Sequence, residues 1–137
     1  MSVKFLPFLT ALALAGVCAS SQAADLRTGE AVYQGICVAC HADGRDGAPR
    51  FGDRKAWGPL IREGQAVLTA HAWVGVRKMP AKGGRDDLLL EEFARGAAYM
   101  ARGAGATWQD PDAKLMTRLA DEVRKREAAL AKKAGAK

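Results

Sequence analysis

The chain has 137 residues, of which 49% are hydrophobic and 26% charged. That balance excludes wholesale disorder and fits one domain rather than two. Basic residues outnumber acidic ones by 21 to 15, which gives a net charge of +6. The three cysteines are an odd number and cannot all pair within one chain. Two of them lie three residues apart, and the second is followed directly by a histidine.

The first 23 residues predict a secretory signal peptide, cleaved after Ala23. Residues 5–19 are almost all apolar, a stretch too short for a comfortable membrane span, and Ser21 and Ala23 are small residues at the positions that a signal peptidase reads. The alternatives are a retained membrane anchor and a lipid attached at Cys18. Cleavage would remove one basic residue and leave a charge of +5 and two cysteines. We therefore expect a periplasmic protein with no stable membrane insertion.

The remaining sequence predicts an all-α fold. Apolar residues recur at helical spacing in four segments, at 25–41, 65–74, 86–101 and 110–133. The expected N-caps of the first, third and fourth helices are Asp25, Asp86 or Asp87, and Asp110. Segments 42–59 and 75–85 are rich in Gly and Pro and predict loops, the first extending towards Arg62. The last helix is charged and amphipathic, with one apolar face formed by Leu115, Leu119, Val123 and Leu130.

The chemistry is concentrated at Cys37, Cys40 and His41. At about 100° per residue, these three side chains leave a helix within an arc of about 100°. Two such thiols can add to the vinyl groups on one edge of a porphyrin, and the adjacent imidazole is then held where it can bind the iron. The pattern predicts one covalently attached haem c. One alternative is a zinc site, for which the mature sequence has only the two cysteines, His41 and His71, without a second paired motif. The other is a thioredoxin-like redox pair, for which the expected βαβ context is missing.

The opposite side of the iron has four candidate ligands, namely His71, Met79, Met100 and Met116. The first, third and fourth lie in predicted helices, where structural packing is the ordinary role. Met79 precedes Pro80 in a Gly-rich loop, so its side chain can reach inward without helical constraints. Ligation by His and Met raises the reduction potential and closes the iron to substrates, which favours electron transfer over oxygen chemistry.

Several short stretches match one known pattern: Tyr33 with Cys37-Val38-Ala39-Cys40-His41, Gly47-Ala48-Pro49-Arg50-Phe51-Gly52-Asp53, Ala56-Trp57-Gly58-Pro59, His71-Ala72, Met79-Pro80-Ala81-Lys82-Gly83-Gly84 and Ala98-Tyr99-Met100. Together they resemble class I cytochrome c, most closely the bacterial cytochrome c5 type, from Gly29 to Met100. The resemblance implies a cytochrome c fold wrapped around one covalently attached haem, with residues 24–102 as the domain. Residues 103–137 would then be a linker and an extra C-terminal helix.

The resemblance also assigns roles to individual residues. It implies thioether links at Cys37 and Cys40, a proximal iron ligand at His41, a distal ligand at Met79, and a carbonyl at Pro49 that accepts a hydrogen bond from the haem histidine. It places Trp57 near the haem in a structural role, and Gly29, Tyr33 and Tyr99 where the first and last family helices cross. The disulfide of some relatives has no counterpart here.

The expected function is that of an exported one-electron carrier between redox proteins, rather than an enzyme. The alternatives are a haem subunit of a larger dehydrogenase or oxidase, with the terminal helix as its docking arm, and a haem enzyme with an open axial site. Nucleic acid is a poor partner for an exported protein, so we expect no nucleic-acid binding. The basic residues near the expected haem edge predict docking to an acidic patch on a redox partner, with a solvated basic surface as the alternative: Lys55, Arg77, Lys78, Lys82 and Arg85.

Overall fold

The computed structural model describes Met1 and residues 25–136, so that the predicted signal peptide lies, except for Met1, outside the described residues. Within them the chain forms six α-helices: α1 (Gly29–Val32), α2 (Val38–His41), α3 (Arg54–Arg62), α4 (Gln65–Val74), α5 (Leu90–Gly103) and α6 (Ala113–Gly135). Short 3₁₀ turns lie at Arg45–Gly47 and Ala81–Gly84. The described residues contain no β-strand beyond one isolated bridge between Val76 and Met79. The all-α prediction is confirmed.

The first helical segment runs from α1 through a π-helical turn, Tyr33–Cys37, into α2. The backbone N–H of Val38 donates to the carbonyl of Tyr33, five residues back. The segment begins later than predicted, because Thr28 and not Asp25 is the N-cap, its hydroxyl accepting from Ala31 at 3.1 Å. The π turn ends at Cys37, so the residues that follow it are spaced on a regular α-helix.

Helix α3 was not expected, since its residues were assigned to the loop that follows position 42. Asp53 caps it by accepting from the backbone N–H groups of Lys55 and Ala56, both at 3.0 Å. Pro59 lies inside the helix and removes one backbone donor. The apolar face of α3 packs against a buried cluster that contains Tyr33 and Met100. This packing outweighs the local preference for a loop.

Helix α4 agrees with its predicted bounds, whereas α5 begins several residues later than expected. Asp87 does not cap α5, because its carboxylate binds the guanidinium of Arg85 at 2.8 and 2.9 Å. The N-cap is Leu89, whose backbone N–H donates to Glu92 at 3.2 Å.

Helix α6 is capped by Asp112, which accepts from the N–H of Leu115 at 2.7 Å. Asp110, the predicted cap, instead accepts from Arg102 at 3.0 Å. Such an ion pair between separate elements is not visible in local sequence.

The apolar face of α6 is shorter than predicted. Leu115, Leu119 and Val123 are buried, and the last two join Ala70 of α4 and Ala94 of α5 in one cluster. Leu130 is exposed, so the packed part of the helix ends at Val123. None of the described helices is long and apolar enough to cross a membrane.

The first helical segment crosses α5 at very short range. A Cβ built on Gly29 would overlap the backbone carbonyl of Arg95, and one built on Gly96 would lie 2.7 Å from the side chain of Val32. Beside this crossing, the rings of Tyr33 and Tyr99 lie 5.6 Å apart, and Phe51 contacts both. The crossing that the resemblance implied at Gly29, Tyr33 and Tyr99 is therefore present.

We expect Gly29→Ala to lower the free energy of unfolding of the holoprotein by about 1–3 kcal/mol, because the added methyl group must push the helices apart. The matched control is Gly35→Ala in the same helical segment, where no atom lies within 4 Å of the new Cβ. Chemical denaturation followed by far-ultraviolet circular dichroism measures both. Equal effects of the two substitutions would contradict this account of the crossing.

Glu92 links the segment before α1 to the start of α5 through hydrogen bonds with Arg27. Its carboxylate, which is buried, accepts from the backbone N–H of Arg27 at 3.0 Å and from the guanidinium of the same residue at 3.1 and 2.9 Å. Hydrogen bonds from Arg27 are the main reason that the pKa of Glu92 is lowered to about 2. Because the pKa is lower in the folded protein, this pair stabilises the fold above the unfolded value near 4.5, and the contribution is lost as the pH falls towards 2.

Glu92→Gln is therefore expected to lower the Tm of the holoprotein at neutral pH. The difference from wild type should shrink as the pH falls from about 4.5 towards 2, because the carboxylate is protonated first in the unfolded chain and only near pH 2 in the folded protein. Glu91→Gln is the control, because Glu91 makes a more exposed pair with Arg95 on the same helix. A Tm difference that does not change with pH would show that the charge of Glu92 is unimportant.

Candidate cofactor site

A single cleft of about 220 Å³ collects the five residues singled out as the cofactor site. Its walls come from α2, the loop after it, α3, α4, the hairpin around Met79, and α5, and most of the lining side chains are apolar. The five residues among its lining are Cys37, Cys40, His41, Pro49 and Met79. Side chains that are more than 40 positions apart in the sequence therefore line the same cleft.

His41 is buried and has a fixed ring orientation. Its Nδ1 lies 2.8 Å from the carbonyl oxygen of Pro49, and its own carbonyl accepts from the backbone N–H of Phe51 at 2.7 Å. Since a carbonyl oxygen only accepts, Nδ1 carries the proton and Nε2 keeps its lone pair. An imidazole in this state can act as an iron ligand through Nε2.

The two cysteines of the cleft are free and partly buried. Burial is the main reason that the pKa of the Cys37 thiol is raised to about 11. A thiol–disulfide oxidoreductase needs the opposite shift, because the thiolate is its nucleophile. No group of three or more His, Cys, Asp or Glu side chains that could hold a metal ion occurs in the described part of the chain, which leaves the zinc alternative without support.

Trp57 closes the cleft next to His41. Its ring is buried, its centroid lies 6.1 Å from that of the imidazole, and Nε1 donates to the carbonyl of Arg50 at 2.9 Å. The indole thus fills space beside the ligand candidate and holds the preceding loop. This is a structural role of the kind expected from the sequence.

Met79 lies at the end of a tight turn after α4. The backbone N–H of Met79 donates to the carbonyl of Val76 at 2.9 Å, and the N–H of Val76 donates back at 3.1 Å. Gly75 begins this turn with a φ of +93°, and a Cβ there would lie 3.1 Å from the backbone nitrogen of Ala81. Sequence reasoning missed Gly75, although a glycine directly after a helix is the signal that could have identified it.

The other candidate axial ligands differ in their surroundings. His71 and Met100 also line the cleft, whereas Met116 packs against the cluster between α4 and α6. His71 is held through Nδ1 by Glu63 at 3.1 Å, a partner that the sequence did not indicate. Met100 is buried in the cluster that contains Trp57, the neighbour of His41.

The predicted basic surface is only partly gathered at the cleft. Arg77 and Lys78 line it, together with Arg45, which sequence reasoning did not select. The other predicted basic residues, Lys55, Lys82 and Arg85, are outside the lining. Several of these cations have acidic neighbours, in the pairs Lys78–Asp46, Lys82–Asp86 and Arg85–Asp87.

The residues present suit a covalently bound haem. Two thiols and a buried imidazole with a free Nε2 lie on one wall of a cleft whose other walls are largely apolar. A flat, mostly apolar macrocycle with an iron at its centre requires this combination of groups.

Comparison with known proteins agrees with this fit. Residues 24–100 match the protein family described as "Cytochrome C oxidase, cbb3-type, subunit III". Cytochrome c-555 of Chlorobaculum thiosulfatiphilum is 39% identical over 80 residues, which cover 56% of this chain and 93% of that protein. This chain belongs to the class I cytochrome c family. Cytochrome c-555 of Chlorobaculum tepidum is 38% identical, over 56% of this chain and 74% of that protein.

A solved cytochrome c structure has the same fold. The chain aligns with one chain of a crystal structure of an electron transfer complex of nitrite reductase with cytochrome c, with a TM-score of 0.54 and 36% identity. The alignment covers 58% of this chain and 99% of that one. The protein is thus a monohaem c-type cytochrome with covalently attached haem c, and it is an electron-transfer protein.

Proposed function

We propose that this cytochrome is exported to the periplasm, where it carries single electrons between redox proteins with a haem iron ligated by His41 and Met79. Cys37 and Cys40 form the two thioether links in this proposal, and Pro49 orients the proximal histidine. The convergence of these five residues on one cleft carries the proposal. When bound, the haem supplies the one-electron redox couple.

The chain contributes a fixed and buried proximal ligand. The hydrogen bond to Pro49 keeps the proton of His41 on Nδ1 and directs Nε2 away from that carbonyl. It also increases the electron density of the imidazole, which stabilises the oxidised iron relative to an imidazole without this bond. Trp57 packs beside the ring and excludes water from that side.

Met79 is the preferred distal ligand because its position is determined by a turn rather than by helix packing. The paired backbone bonds with Val76 hold it at the cleft, and its side chain packs against the cluster containing Phe93. The Nδ1 of His71 is already engaged by Glu63, and Met100 belongs to the buried cluster on the side of Trp57. A thioether at the sixth position closes the iron to small ligands.

Redox proteins are the proposed partners, and the cleft margin at Arg45, Arg77 and Lys78 is the proposed docking surface. The cytochrome c of the related crystal structure forms its electron transfer complex with nitrite reductase, which supports the same class of partner here. An acidic patch on the partner would complement this margin, and association should then slow as salt is added. Export is supported by the apolar N-terminal stretch and by the haem-attachment pattern.

One alternative to the function of a free electron carrier also has specific support. The matching family is described as an oxidase subunit, so this chain could act as a haem subunit of a larger complex. Purification from native membranes and from the periplasmic fraction separates the two functions, since a subunit would co-purify with other chains. Intact mass of the periplasmic protein tests cleavage after Ala23 and the presence of one haem in the same measurement.

Replacement of Met79 tests the axial ligation. Met79→Ala is expected to keep the haem attached, because the thioethers are untouched, but to let the reduced protein bind carbon monoxide. Met116→Ala is the matched control, since this methionine lies outside the cleft. Visible spectra of the reduced proteins with and without carbon monoxide provide the measurement. An unchanged spectrum in Met79→Ala would assign the sixth ligand to His71 or Met100.

Gly75→Ala should weaken the same ligation without removing the sulfur. The new Cβ would crowd Ala81 and strain the positive φ, which displaces the turn that holds Met79. Gly64→Ala is a close control, because Gly64 has a φ of +92° at the other end of α4 but no atom within 4 Å of a Cβ. Both variants should lose about 1–3 kcal/mol of stability from backbone strain, but only Gly75→Ala should bind carbon monoxide more readily. Equal carbon monoxide binding by the two would exclude a positioning role.

A further inference from the structure

The net positive charge of the protein lies at its C-terminus. Residues 25–123 contain 14 basic and 14 acidic side chains and are neutral overall. Residues 124–137 contain six basic side chains and one acidic side chain, a net charge of +5. Of this excess, +4 lies on residues 124–136, at the end of α6.

This charged end extends beyond the packed core, and we name residues 124–136 the C-terminal overhang. Val123 is the last buried residue of α6, and every later described residue is exposed except Arg126, which is half-buried. The helix continues to Gly135, so the overhang extends for about 20 Å at 1.5 Å per residue. It lines no part of the haem cleft, whose described walls end with Met100.

Intrachain ion pairs neutralise only the beginning of the overhang. Arg124 pairs with Asp121 and Lys125 with Glu122, each three residues earlier on the same helix. Within the described residues Arg126, Lys132 and Lys133 make no ion pair. The uncompensated charge is thus greatest where the helix is farthest from the core.

The distribution of charge on the overhang suits binding to a flat charged surface better than binding in a groove of a protein. A stable protein interface buries about 800 Å² on each side around an apolar centre, whereas the only large apolar side chain here is Leu130. At 100° per residue, the basic side chains from Arg124 to Lys133 spread over about 200° of the helix, so there is no apolar face for insertion into lipid. Mobile anionic headgroups can arrange themselves around such a helix, because basic residues near a lipid surface add their attractions.

We propose that the C-terminal overhang binds electrostatically to the surface of an anionic phospholipid bilayer. The protein would lie at the membrane surface without inserting, and the walls of its haem cleft would stay available to redox partners. This proposal does not depend on the identity of the sixth iron ligand. Its test measures lipid binding rather than electron transfer.

The experiment is co-sedimentation of the holoprotein with vesicles of phosphatidylglycerol and phosphatidylcholine in equal amounts, and with vesicles of phosphatidylcholine alone. The holoprotein should bind only the anionic vesicles at about 10 mM salt, where the Debye length is about 30 Å, and should be released at about 1 M salt, where it is about 3 Å. Binding to both kinds of vesicle, or to neither, would overturn the proposal.

A charge-matched pair of variants locates the binding surface. Lys132→Glu with Lys133→Glu should weaken binding to anionic vesicles by at least about tenfold, since two uncompensated cations are reversed. The control is Lys114→Glu with Arg118→Glu, the same change of charge on exposed positions in the packed half of α6. An unchanged visible spectrum and Tm verify the fold of both. Equal losses in the two variants would mean that net charge, not the overhang, determines binding.

A further binding measurement distinguishes a lipid surface from an acidic protein as the partner of the overhang. Immobilised polyglutamate serves as the probe for a protein-like acidic surface under the same salt conditions. Retention on polyglutamate together with no binding to anionic vesicles would overturn the lipid proposal in favour of an acidic protein partner. Vesicle binding that is lost in the Lys132 and Lys133 variant and kept in the control supports it.

Discussion

The close contact between the first helical segment and α5 determines where the remaining parts of the molecule can lie. A Cβ at Gly96 would lie 2.7 Å from Val32 and 3.9 Å from the sulfur of Cys37, so the contact that packs the helices also sets the distance from the cysteine-bearing turn to α5. Met100, further along α5, also lines the cleft. A side chain larger than hydrogen at the crossing would widen the cleft as well as weaken the core. Stability and cofactor geometry therefore depend on the same contact.

The irregular loop after α2 is held by hydrogen bonds rather than by regular structure. Pro49 accepts from the ring of His41, Phe51 donates to the backbone of the same histidine, and Trp57 donates to Arg50. These bonds join the loop to α2 on one side and to α3 on the other. The histidine is thereby oriented by the polypeptide itself, while the apolar cleft beside it needs the haem to complete a core that is small for its surface.

The sequence predicted features that depend on local spacing and missed those that depend on distant partners. Helix α4 was predicted to the residue, because glycines with positive φ lie immediately before and after it. The predicted cap Asp110 failed because Arg102 of α5 engages its carboxylate, whereas Asp87 failed because of a local ion pair with Arg85, two residues before it. Helix α3 was missed because Pro59 suggested a loop, although tertiary packing retains the helix.

The difference between local spacing and distant contacts also applies to the cofactor site and to the distribution of charge along the chain. The spacing of Cys37, Cys40 and His41 is local and was sufficient to predict haem attachment, whereas the pairing of His71 with Glu63 appears only in three dimensions. The net charge of the whole chain gave no indication of where the charge lies. Lys132 begins about 14 Å along the helix beyond Val123, farther than the Debye length of about 8 Å at physiological salt. Charge at the far end of the overhang is therefore largely screened from the core, and the electrostatic potential at the cleft depends mainly on the few cations that line it.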